Sequence, residues 1–195
     1  MALLPRDPYV TTVALVSSRD GGVTWVYDGA DCNARAGRPR LTPLLVREEV
    51  ARLVPRPGIG VAPPGGRSLV NVQTVLWVGT PVDRSLGAVT LLGRYRVALR
   101  VHVLGVAWEF GDGSSEVSSG PGVPYRKGEH CATVSCPRHF GHVYARTASM
   151  RIRSRVSWSG QYSVNGGAWQ PVVGTVDGPP AVTRLIVIEA RGVLV

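Results

Sequence analysis

Between Arg94 and Val103 the chain alternates between two kinds of side chain. Tyr95, Val97, Leu99, Val101 and Val103 fill one set of positions, and Arg94, Arg96, Arg100 and His102 fill the other. Successive side chains of a strand point to opposite faces, so a period of two with apolar and basic partners requires a strand with one buried and one solvated face. A later stretch repeats the pattern: Met150, Ile152, Val156 and Trp158 face one way, while Arg151, Arg153, Arg155 and Ser157 face the other.

The rest of the chain is read around these two strands. Leu69 to Val72, Val75 to Val78 and Gly87 to Leu92 are short apolar runs, separated by Gly79-Thr80-Pro81 and by Gly93. Asn165-Gly166-Gly167 is a strong turn dividing Tyr162–Val164 from Trp169–Val173, and the end of the chain, Ala181 to Val195, is β-branched and apolar enough to close a sheet. Gly 24 and Pro 15 without a period fit many turns between short strands, so the expectation is a mainly β fold. Gly58-Ile59-Gly60 through Gly65-Gly66 has no Gly-Lys-Ser/Thr after it and is read as a linker, not a phosphate loop.

Ahead of this lies an appendage, residues 1–57. Short apolar runs on either side of Asp20-Gly21-Gly22 form a hairpin, followed by a basic loop from Asn33 to Arg40. One helix is expected over 42–54, with Thr42 as cap, Pro43 in the first turn, an amphipathic set at Leu45, Glu48, Glu49 and Arg52, and Pro55 and Pro57 ending it. Residues 58–195 then form the β domain, with a loop inserted at 114–141.

The formal charge is +9, and Lys127 is the only lysine among 22 basic residues. Such a surplus attracts anionic polymers, yet arginine in place of lysine is also what a GC-rich genome encodes. No run approaches the roughly 18 apolar residues of a membrane span, and the first thirty residues lack both a basic leader and an adequate apolar stretch, so no transmembrane or export segment is expected in the chain as written.

At the end of the first alternating strand stands Trp108-Glu109-Phe110-Gly111-Asp112-Gly113, and about thirty residues later His142-Val143-Tyr144 opens the second. Trp108 and Phe110, two apart, enter one face; Gly111 and Gly113 permit the positive φ of a tight turn; Asp112 accepts backbone N–H groups across it. The pair resembles the hallmark of polycystic-kidney-disease (PKD) domains, a Trp-Asp-Phe-Gly-Asp-Gly turn followed by a His-x-Tyr strand, with Glu109 in the place of the usual Asp. The resemblance implies an immunoglobulin-like β-sandwich in which these residues are structural. It extends over about Leu41 to Val195 to a group of actinobacterial cell-envelope proteins with a PKD-like domain, through the Pro55–Gly66 stretch, Val75-Leu76-Trp77-Val78 and Trp158-Ser159-Gly160. It implies an extracellular or envelope-associated module that interacts or spaces and does not catalyse.

Three other clusters bear on function. Cys131, Cys136, His130, His139 and His142 fall within thirteen residues. In an oxidising compartment Cys131 and Cys136 bridge; a tetrahedral zinc on Cys131, Cys136, His139 and His142, or free thiols, are the alternatives, and Cys32 is left over. Asp112, Ser114 and Glu116 carry oxygens for calcium, and Asp112, Ser114 and His142 have the residue types of a hydrolytic triad, but too few carboxylates stand at fixed steps and no Gly-x-Ser-x-Gly surrounds a serine. No metal, cofactor or small-molecule substrate is therefore assigned. Finally, Arg94, Arg96 and Arg100 with Arg151, Arg153 and Arg155 form one basic patch if their strands lie side by side, and such a patch suits an anionic envelope polymer or nucleic acid; the other expected partner is a protein.

Overall fold

The computed structural model describes residues 13–17, 26–31, 40–126, 128–129, 131 and 133–190, with backbone only before residue 40. By its internal contacts the chain divides between Arg40 and Leu41. In the first unit β1 (Val13–Ser17) and β2 (Val26–Asp31) pair antiparallel, as the hairpin reading expected. The turn at Asp20–Gly22, the loop to Pro39 and Cys32 lie outside the described residues.

The second unit is mainly β with one helix. The helix, α1 (Pro43–Leu53), starts as its residues dictate: Thr42 is extended and its Oγ1 accepts from the Leu45 N–H at 3.2 Å, with Pro43 in the first turn. The expected amphipathic set needs correction, because the buried stripe runs through Val46, Val50 and Val54 at steps of four, while Leu44 is exposed. Through that stripe the helix joins the core of residues 41–195, so it belongs with the sheets and not with the hairpin.

Among the described residues eleven strands follow. β3 (Ile59–Ala62), β4 (Arg67–Leu69) and β5 (Gln73–Val78) lead into the long β6 (Asp83–Leu91) and β7 (Tyr95–Glu109). β8 (Ser115–Ser118), β9 (Gly141–Val143), β10 (Ala148–Val164), β11 (Gln170–Pro171), β12 (Val176–Asp177) and β13 (Ala181–Ile188) complete the set. The large sheet runs β4-β13-β10-β7-β6, with β8 beside β7 and the short β11 and β12 beside β10; the small one runs β3-β5-β9. All pairings are antiparallel except β13 with β4. The sheets curl into a half-barrel around a large apolar core, with a small second cluster at Ala62, Val75 and Cys136. Among the described residues no helix is long and apolar enough to cross a membrane.

The centre of the large sheet is the antiparallel pair β7–β10, in register from Val97 opposite Val164 to Glu109 opposite Arg153. Along β10 every even position from Met150 to Tyr162 is buried. Along β7 the inward positions are odd at Val97, Leu99, Val101 and Val103, then even at Val106 and Trp108. A bulge reconciles the two halves: Ser157 opposes Gly105 and Trp158 opposes Val103, so Leu104 has no partner and points outward.

Two expectations about loops also change. The Gly58–Gly66 linker contains strand β3, which pairs with β5, and the 114–141 insertion opens as strand β8, which returns against Trp108 and Ala107. From Ser119 the insertion crosses from the large sheet to the small one and enters it as β9. Along the way Pro121, Val134 and Phe140 each accept a hydrogen bond from β5, at Val78, Gln73 and Leu76, so this stretch satisfies backbone groups of β5 and is not a free loop.

Trp108 and Trp158 are both fully buried, yet their indole N–H groups differ. Trp108 Nε1 donates to Ser118 Oγ at 3.1 Å, whereas Trp158 Nε1 has no partner among the described residues. Replacing Trp108 by Phe removes a made hydrogen bond worth about 1 kcal/mol, while Trp158→Phe removes a buried unpaired donor whose desolvation costs about 1–3 kcal/mol. Both lose ring volume. Urea unfolding is therefore expected to place Trp158→Phe nearer to wild type than Trp108→Phe.

Candidate functional site

The Trp108–Gly113 turn and the His142–Tyr144 strand meet at the end of the β7–β10 pair. Phe110 and Tyr144 are buried, and the Tyr144 hydroxyl donates to the Phe110 carbonyl at 3.1 Å. The His142 ring lies flat on Phe110, centroids 4.0 Å apart and planes 2° apart, and meets the Tyr144 ring edge-on. Phe140 stacks on Trp108 at 5.4 Å, so an aromatic from the insertion completes the cluster. Gly111 is required twice over: its φ is +87°, and a Cβ there would lie 2.6 Å from the Arg151 nitrogen.

Asp112 locks the turn. Its Oδ1 accepts from the Ser114 N–H at 3.0 Å and from the Ser114 hydroxyl, and its Oδ2 accepts from His142 Nε2 at 2.7 Å. Burial works to raise the carboxyl pKa, but the bonds from Ser114 and His142 outweigh it and hold the group down at about 2. Burial, reinforced by the Asp112 charge, pushes the Tyr144 phenol up.

The same geometry speaks to the triad. A nucleophilic serine needs a histidine nitrogen free to take its proton, with the acid on the other ring nitrogen. Here Asp112 sits on Nε2, the atom nearest Ser114 Oγ at 3.4 Å, and the serine hydrogen is directed to Asp112. The three side chains come together as a clasp. Glu109, the motif's variant position, is exposed and faces Arg153 at 3.5 Å across the sheet. It takes no part in the turn.

Cys131 and Cys136 form a disulfide with Cα atoms 5.2 Å apart. The four zinc ligands considered above are not gathered: the sulfurs are bonded to each other, His139 Nδ1 lies 3.0 Å from the Val123 carbonyl, and His142 belongs to the clasp. His130 lies outside the described residues. Gln73 anchors the bridged loop to β5, its Oε1 accepting from the Cys136 N–H and its Nε2 donating to the His139 carbonyl at 3.0 Å.

The single basic patch is corrected. Its strands are neighbours, but the antiparallel register sends the two triplets to opposite ends: Arg100 opposes Gln161, while Arg155 opposes Ala107. Seven residues of strand, roughly 20 Å, separate them. Arg94 lies in the turn before β7, and its guanidinium covers Tyr95. At the other end Arg151 gains a neighbour that sequence reading missed, because Arg184 of β13 is directly opposite it on the outer face. Arg151, Arg153, Arg155 and Arg184 make the stronger cluster, with Glu109 at its rim.

A further feature had no counterpart in the sequence reading. On the outer face of β6, β7 and β10 an open groove of about 740 Å³ is lined by Arg100, His102, Gln161 and Trp169, among others. The signal was present in Asn165-Gly166-Gly167, which returns the chain so that Trp169 lands beside Arg100. Comparison with protein-family models, curated proteins and solved structures finds no match to this chain.

The Asp112 clasp makes stability depend on acid. Its folded pKa lies below the ordinary 3.8, so its contribution is fully present above that value and is lost as pH falls toward 2. Because the turn is exposed, solvent screening cuts the stability carried by this depression to about 1 kcal/mol. Asp112→Asn is expected to lose about that much at pH 7 and to flatten the acid limb of urea stability between pH 4 and 2; an unchanged acid limb would show that the clasp is not formed.

Proposed function

We propose that the chain is a non-catalytic interaction or spacer module of the cell envelope, built as an immunoglobulin-like β-sandwich of the PKD type. The observation that carries the reading is the clasp: Asp112, Ser114 and His142, the motif residues of the types a triad needs, are all spent on holding a turn. Two sheets packed over an apolar core suit a sandwich, and the burial of Trp108, Phe110 and Tyr144 in that core supports the reading of the motif as structural. The Cys131–Cys136 bridge supports an oxidising compartment outside the cytoplasm.

A second reading, binding of an anionic polymer, is favoured by one specific observation. Like charges placed directly opposite on adjacent strands destabilise a sheet, and Arg151 and Arg184 are so placed. An anion docked across them would relieve that repulsion.

Retention on immobilised poly(glycerol phosphate), a polymer with charge and no sugar rings, tests this. Wild type is expected to elute at higher salt than a variant with Ser at positions 151, 153 and 155, and the slope of log affinity against log salt falls by roughly three in the variant, about one per guanidinium removed. Equal elution of the two proteins sinks the polymer reading at this cluster. Shortening of the polymer during incubation overturns the non-catalytic one.

A further inference from the structure

The Trp169 groove carries an inference that rests on the reading of the chain as a binding module. Its floor is laid out by strand register. Ser85 of β6, Arg100 of β7, Gln161 of β10 and Pro171 of β11 form one cross-strand row, and Asp83, His102 and Ser159 form the next. Neighbouring strands are about 4.8 Å apart, so the first row spans roughly 14 Å. The polar groups are fixed to one another: Arg100 Nε donates to Gln161 Oε1 at 2.8 Å, and His102 Nδ1 lies 2.8 Å from Asp83 Oδ1.

The wall is an aromatic ring. Trp169 keeps 43% of its surface exposed, with the Arg100 guanidinium 4.1 Å from its ring centroid. An exposed tryptophan on a loose turn would mean little, but this one is held from both sides. Asn165 and Gly166 take positive φ of 51° and 79°, closing the turn with Gly167 N–H on the Val164 carbonyl at 2.9 Å. Before the ring the Ser163 hydroxyl donates to the Gly167 carbonyl at 2.6 Å; after it the Tyr162 hydroxyl donates to Gln170 at 3.0 Å, and the Val172 N–H to Gly160 at 2.9 Å. A large ring kept in water by a rigid hairpin is preorganised for a ligand, because little ordering remains to be done on binding.

The chemistry of the groove selects the ligand. A ring wall suits the apolar face of a pyranose, and the amide, imidazole and hydroxyl groups at strand spacing suit the hydroxyls along its edge. The guanidinium of Arg100 is held by two neutral partners and keeps its charge for an acidic group of the ligand, while Asp83, hydrogen-bonded to His102, stands in the next row and Arg84 also lines the groove. We propose that this groove binds an acidic oligosaccharide, with Trp169 stacking on a sugar ring and Arg100 pairing with its carboxylate.

Calorimetric titration with a galacturonate hexasaccharide, its carboxyl-reduced form and a hexathymidylate separates the outcomes. The acidic hexasaccharide is expected to bind, and both Trp169→Ala and Arg100→Met to weaken it at least about tenfold with unchanged circular dichroism and melting temperature. Arg56→Ser, exposed and outside both the groove and the arginine cluster, is expected to leave the affinity as it is. Gln161→Ala provides a second groove variant should either replacement unfold the protein. No binding of the hexasaccharide, equal binding of its reduced form, tighter binding of hexathymidylate, or wild-type affinity in the groove variants each overturns the proposal. Shortening of the bound hexasaccharide would leave the groove standing and remove the non-catalytic reading instead.

Discussion

The β7–β10 pair is the constraint on which the rest depends, and within it the unpaired Leu104. A strand presents alternate residues to the core, so the odd set Val97–Val103 and the even set Val106–Phe110 cannot both face inward on a regular strand. One extra residue shifts the phase. Without it Trp108 and Phe110 would turn to solvent, Phe140 and His142 would lose the rings they stack on, and Tyr144 would lose the carbonyl its hydroxyl holds. The bulge therefore links the strand at the centre of the sheet to the corner that joins it to the smaller one.

That corner explains how a long excursion is tolerated. The segment from Ser119 to Phe140 has little regular structure, yet its two ends are fixed by the same cluster: Ser118 Oγ, at the start, accepts from Trp108, and Phe140, at the end, stacks on it. Between them the disulfide and the Gln73 amide fasten the chain to β5. Backbone groups of β5 that would otherwise be unpaired find carbonyls there.

What was legible in the sequence follows from the range of the interactions. The two alternating strands, the Thr42 cap with Pro43 and the Asn165-Gly166 turn are set by neighbours close in the chain, and each was readable from residue type and spacing, whereas the spacing of Cys131 and Cys136 left a bridge, a zinc site and free thiols all open. The separation of the arginine triplets was not, because register between strands fifty residues apart is fixed by the packed core and not by either strand's own pattern. The bulge left a trace, the change from odd to even between Val103 and Val106, visible only if Trp108 and Val97 are required to share a face. The helix stripe through Val46 and Val50 was obscured by Leu44 and Leu45, equally apolar neighbours of which Leu44 is exposed. Asp112, Ser114 and His142 were legible as residue types, but which nitrogen of His142 faces the acid is a matter of geometry alone.

The same division of labour underlies the proposed function. The large sheet uses its inner face, its corner and its bulge for cohesion, and the reactive-looking residues of the motif are consumed in that task. Its outer face is left to display side chains at intervals set by the strands. Because β7 and β10 are antiparallel, that face carries two chemically different ends. At one, Arg151 and Arg184 stand directly opposite each other; at the other, the Arg100 guanidinium is held against an exposed ring and a row of hydrogen-bonding groups. The first suits charge without shape, and any polyanion held there must be released steeply by salt. The second suits shape as well as charge, and a ligand stacked on Trp169 must keep part of its affinity at salt concentrations that release a polymer from the first.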